Sequence, residues 1–105
     1  MLLTPTEIEQ ALRDLPAWTT DGRSLRRAYT FADFPAAVAF VNGLVAPSEK
    51  LGHHPDIAIS YNRVALVLTT HDAGGLTAKD LALARALQAT PTSPSDGAGA
   101  GIRSG

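Results

Sequence analysis

The chain has 105 residues, 45% apolar and 18% charged, with a formal net charge of −1. That balance suits one soluble domain and gives no electrostatic case for nucleic acid or an anionic membrane. The absence of cysteine excludes a disulfide framework and thiolate chemistry.

The opening MLLTPTEIEQ lacks the basic and long apolar regions of a signal peptide. No apolar run reaches the roughly 18 residues that a membrane span needs. The expected setting is therefore the cytoplasm, with a single domain over residues 1–89. TPTEIEQALRDL predicts a first helix, with Thr6 and Glu9 as its capping box and Pro16 as its stop. Ile8, Ala11, Leu12 and Leu15 share one face. AWTTDGRSLRRAYTF predicts two strands joined by a turn at Asp21-Gly22.

Asp33 is the expected N-cap of a second helix, with Pro35 in its first turn. Phe34, Ala37, Val38, Phe40, Val41, Leu44 and Val45 form a broad apolar stripe on it. Pro47 should kink or interrupt this helix, because it removes a backbone donor and clashes with the preceding turn. DIAISYNRVALVLTTH alternates with period 2 and predicts a hairpin turning at Asn62-Arg63. GLTAKDLALARALQ predicts the last helix. Thr77 is its N-cap, Asp80 its N3 acid, and Leu76 with Leu81 a hydrophobic staple. Residues 90–105 are rich in Pro, Gly and Ser and read as a disordered tail. The order implies an α+β fold, a four-stranded antiparallel sheet with three helices packed on one face.

The chain holds three histidines, His53 and His54 before Pro55, and His71 in TTHDAGG. A turn at Asn62-Arg63 pairs Tyr61 with Val64 and places His54 opposite His71. Opposed Cα atoms lie about 4.5–5.5 Å apart, so one small ligand could touch both rings. Three readings compete at this point. The imidazoles could be surface residues at hairpin ends. They could form a three-histidine metal site, which catalytic zinc accepts, though adjacent histidines suit one ion poorly. They could exchange protons near neutral pH.

The combined phrase is more specific. Glu49, His53-His54-Pro55, Tyr61, His71 and Asp80, at their spacings here, resemble the signature of pterin-4a-carbinolamine dehydratases. HHPDIAISYNRVALVLTTHDAGGLTAKDLALA resembles that family's C-terminal half, and Trp18 and FADFPAAVAFVNGL sit where it has a tryptophan and a long helix. Pro47 departs from the pattern, since relatives have an uninterrupted helix there.

The resemblance implies dehydration of 4a-hydroxytetrahydropterin to the quinonoid dihydropterin, in recycling of a tetrahydrobiopterin-type cofactor. It implies no metal and no cofactor, the pterin being the substrate, and a homodimer or homotetramer. It places catalytic histidines at His53, His54 and His71, and pterin contacts at Gly52, His53, His54, Thr69, Thr70, His71 and Asp72. Trp18, Glu49 and Asp80 would support the site. Trp18 has a plain alternative role in the core, Asp80 in helix capping, and Glu49 on a solvated helix end. The alternative function is a pterin-binding or protein-binding module, dimerisation cofactor-like or molybdopterin-related, without this turnover.

Overall fold

A computed structural model describes residues 1–88. The expected tail lies outside the described residues. In chain order the elements are α1 (Pro5–Leu12), β1 (Thr19–Thr20), β2 (Leu25–Thr30), α2 (Phe34–Gly43), α3 (Val45–Leu51), β3 (Asp56–Ser60), β4 (Arg63–Leu68) and α4 (Ala78–Gln88). The strands form one antiparallel sheet in the order β1-β2-β4-β3. The fold is α+β, with α2 and α3 as two halves of one broken helix. No described helix is long and apolar enough to cross a membrane.

Alternation along the strands decides where the core sits. Leu25 and Tyr29 of β2, and Val64, Leu66 and Leu68 of β4, are buried, while Arg26, Ala28, Thr30, Arg63 and Ala65 are exposed. The register sets Leu25 beside Leu68 and Tyr29 beside Val64, so the buried residues line one face. The core also holds Ile8 and Ala11 of α1, Ala37 and Phe40 of α2, Leu44, and Leu81, Leu83, Ala84 and Leu87 of α4. Phe40 packs its ring centroid 4.4 Å from Tyr29 and 5.1 Å from Phe31. Arg27 shares the apolar face and lays its guanidinium 4.3 Å from the Tyr29 ring centroid. Burial pushes the Tyr29 phenol up, and Arg27 partly opposes it.

The starts of α1 and α2 follow side-chain chemistry, with one correction. The capping box of α1 is Thr4 with Glu7, not Thr6 with Glu9. Glu7 Oε1 accepts from the Thr4 N–H at 2.8 Å, and Thr4 Oγ1 accepts from the Glu7 N–H at 3.1 Å. Pro5 explains the shift. Its fixed φ and missing donor suit the first helical position, which makes Thr4 the cap. At α2, Asp33 accepts from the Ala36 N–H at 2.9 Å, as expected of an N-cap.

The helix is interrupted, as Pro47 requires. The break falls at Leu44, one turn upstream. In a continuous helix the Pro47 ring would press on the Gly43 carbonyl and leave it without its donor. Breaking at Leu44 puts Pro47 in the first turn of α3, where no donor is missed.

The second hairpin turns one residue earlier than expected. Ser60 pairs with Arg63, and Tyr61-Asn62 form the turn, with Tyr61 at φ 53°. Asn62 is held in place from both sides by Phe31. Its carbonyl accepts from the Phe31 N–H at 2.7 Å, and its Nδ2 donates to the Phe31 carbonyl at 2.9 Å. The shift moves each pairing by two residues, so every side chain keeps its face. It also removes the expected pairing of His54 with His71. Ile57 and Ile59 now stand beside Leu66 and Val64 on the apolar face, yet all of β3 is exposed because it is an edge strand.

Candidate active site

The two histidine phrases flank one end of the β3–β4 pair. His53 and His54 precede β3, and His71 follows β4 in a single 3-10 turn, His71–Ala73. Neither His54 nor His71 belongs to the ladder, so it is loop geometry that positions them.

The C-terminus of α3 aims the first phrase. Gly52 is left-handed at φ 62°, a conformation that disfavours any residue with a Cβ. Its N–H donates to the Glu49 carbonyl at 3.2 Å, and the His53 N–H donates to the Ser48 carbonyl at 3.1 Å. These two bonds make a Schellman turn. They fix the His53 backbone directly and send the chain toward β3.

Each imidazole meets a different carboxylate. His53 Nε2 lies 2.6 Å from Asp80 Oδ1, with side chains 12% and 0% exposed. His54 Nε2 lies 2.6 Å from Glu49 Oε2, with both groups well exposed. His71 Nε2 lies 4.0 Å from Asp56 Oδ2, also in solvent. The two exposed pairs contribute little, since solvent screens them. The His53–Asp80 pair is screened far less and sets ring orientation. Among the described residues no group of three His, Asp or Glu side chains is arranged to hold a metal ion.

Asp80 serves two elements at once. Its Oδ2 accepts from the Thr77 N–H at 2.9 Å, which is the helix-capping role read from the sequence. It also accepts from Thr70 Oγ1 at 2.7 Å. The other oxygen holds His53. Thr77 joins the network through a 2.8 Å contact between its hydroxyl and that of Thr70. Thr70 directly precedes His71, so this network ties the two histidine phrases together across α4.

The remaining expected site residues have defined places. Thr69 Oγ1 donates to the Arg23 carbonyl at 2.8 Å and fastens the end of β4 to the β1–β2 turn. Asp72 is exposed within the 3-10 turn. Trp18 is 3% exposed and belongs to the core, with Nε1 unpartnered among the described residues. Sequence reasoning did not single out Thr77 as part of the site, nor Asp56 beside His71. Thr77 was visible as an N-cap. What was not visible is that the carboxylate answering it has a second oxygen turned to His53.

The helix-backed antiparallel sheet with histidine–carboxylate pairs at one strand end is a small α+β domain. Residues 1–90 match the family model described as pterin 4 alpha carbinolamine dehydratase. A protein of Thermosynechococcus vestitus is 52% identical over 85 residues, covering 81% of this chain and 90% of the relative. One from a Cyanothece strain is 54% identical over 86 residues, covering 82% and 89%. Both carry the provisional name pterin-4-alpha-carbinolamine dehydratase. The crystal structure of a transcriptional coactivator/pterin dehydratase from Brucella melitensis aligns with a TM-score of 0.78 at 40% identity, over 85% of this chain and 97% of that one. A pterin dehydratase-like protein described as a RuBisCO assembly factor in the alpha-carboxysome shares the fold, with a TM-score of 0.52 at 22% identity. The chain belongs to the pterin 4 alpha carbinolamine dehydratase family.

Proposed function

We propose that the protein dehydrates a 4a-hydroxytetrahydropterin to the quinonoid dihydropterin and water, with imidazoles moving the protons. The hydroxyl on C4a leaves as water once its oxygen gains a proton. N5 loses its proton as the C4a–N5 double bond forms. One group that gives and one that takes serve both ends, and imidazole does either near neutral pH. His53 and His71 are assigned the proton transfers. His54 binds the pterin or shares that role. Gly52, Thr69 and Asp72 contribute pterin contacts from the same strand end. The observation that supports the reading most is the His53–Asp80 pair, because a sheltered carboxylate holds one ring nitrogen and leaves the other for chemistry.

The test is a rapid-mixing assay with synthetic 4a-hydroxytetrahydropterin. Wild type should turn it over. His53→Ala and His71→Ala should each lower turnover at least about tenfold with the fold intact, since a positioned acid or base supplies about 10²–10⁴-fold. Unchanged turnover in both variants would exclude the assignment. Tight pterin binding without turnover would favour a pterin-binding module instead.

The working form is a homo-oligomer. Phe34 and Val45, at the ends of the stripe on α2 and α3, are 50% and 58% exposed, and Ile57 and Ile59 are each 40% exposed. The apolar face thus continues beyond what the described residues cover.

A further inference from the structure

We propose that the Thr70 hydroxyl is a positioning group that locks His53 in its Nε2–H tautomer, so that Nδ1 is the nitrogen through which His53 exchanges its proton. The tautomer assignment stands on hydrogen bonding alone, and its catalytic consequence rests on the dehydratase reading above.

Hydrogen-bond directions in the network can be assigned one by one. Thr70 Oγ1 donates to Asp80 Oδ2 at 2.7 Å. That uses its only proton, so it accepts at the 2.8 Å contact with Thr77 Oγ1. Thr77 donates there, and its own oxygen accepts from the Lys79 N–H at 3.3 Å. The chain of donors therefore ends on Asp80 Oδ2, where the Thr77 N–H adds a second donor at 2.9 Å. Two donors on one oxygen stabilise the ionised carboxyl over the protonated one, and a carboxylate only accepts. His53 Nε2 is then the donor in the 2.6 Å contact with Oδ1.

The other ring nitrogen is open. Nδ1 has no hydrogen-bond partner among the described residues. Among the described residues the sealed polar side-chain atoms without a partner are Trp18 Nε1, Tyr29 Oη and Ser48 Oγ, and His53 Nδ1 is not one of them. It therefore keeps contact with solvent. In neutral His53 it carries the lone pair, and in charged His53 a second N–H, so a proton moving either way passes through it.

Thr70 is the adjustable part of this arrangement. Without its hydroxyl, Asp80 Oδ2 keeps only the Thr77 N–H, and the carboxylate is free to rotate toward it and away from His53. The hydroxyl thus acts through Asp80 on the imidazole, without any need to touch substrate.

The experiment compares wild type, Thr70→Ser and Thr70→Val, with 15N-labelled histidine NMR beside the dehydration assay. Wild-type His53, when neutral, should show a protonated Nε2 and a bare Nδ1. Thr70→Ser should preserve that pattern and keep kcat within about threefold. Thr70→Val should mix the tautomers and lower kcat at least about tenfold with little change in KM, part of the gain a positioned acid or base supplies. A wild-type Nδ1–H tautomer would overturn the proposal even if Thr70→Val fails to fold. So would a Thr70→Val protein with wild-type spectra and kcat. If the spectra follow expectation while the wild type dehydrates no pterin, the tautomer lock stands and the dehydratase reading falls.

Discussion

His53 and Asp80 are 27 residues apart in sequence, yet Nε2 and Oδ1 meet at 2.6 Å. The contact joins the turn after α3 to the first turn of α4, and the acid is fully buried. Asp80→Ala would strand three donors, those of His53, Thr70 and Thr77. Each buried donor left unpaired costs about 1–3 kcal/mol, so the variant should lose at least about 2 kcal/mol in urea unfolding. Glu49→Ala, which breaks the exposed pair with His54, should lose less than about 1 kcal/mol. Equal losses would mean that burial is not what separates the two pairs.

The core gives a second expectation. Leu66 is 1% exposed and lies on β4, the strand between β2 and β3. Leu66→Ala should cost about 2–5 kcal/mol, because the sheet and helices around it cannot close the cavity fully. The Arg63→Ala change on the open face of the same strand should cost less than about 1 kcal/mol. Paired urea titrations measure both.

Acid should weaken the β1–β2 turn. The backbone N–H of Arg23, then the N–H and hydroxyl of Ser24, and finally Arg26, hold the Asp21 carboxyl at about 2, below its ordinary 3.8. A carboxyl lowered on folding stabilises the fold above its unfolded value, and that contribution is lost as pH falls through the folded one. Between about pH 4 and pH 2, the Tm advantage of wild type over Asp21→Asn should therefore shrink. Thermal melts across that range check it, and a constant gap would rule the effect out.

The exposed isoleucines of β3 carry the prediction about assembly. Light scattering at micromolar concentration should give a mass above that of one chain. Ile57→Lys combined with Ile59→Lys should reduce it, because the charges would need burying against a second copy. A wild-type monomer would refute the homo-oligomer.

Features governed by local chemistry were legible in the sequence. Asp33 capping α2, Asp80 answering Thr77, and the helix interruption at Pro47 all depend on groups within a turn of one another. Period-2 alternation exposed both strands of the second hairpin. The errors have separate causes. For α1, the signal was present in Thr4-Pro5, but Thr6 and Glu9 repeat the same spacing two residues on. For the hairpin, no local rule favours a tyrosine at positive φ. Phe31, distant in sequence, pins Asn62 from both sides and so moves the turn. Similarly, the spacing of His53 and Asp80 was visible as part of a family signature. That one carboxylate caps a helix and holds an imidazole required the packing of α4 beside the turn after α3.

That shared carboxylate makes the start of α4 a built-in fuse. Any fraying that frees the Thr77 N–H also loosens the ring of His53, although the rest of the sheet stays intact. On warming, an Asp80-dependent activity would be extinguished before the molecule as a whole comes apart. The interval between the two temperatures would read out how firmly the first turn of one helix is closed.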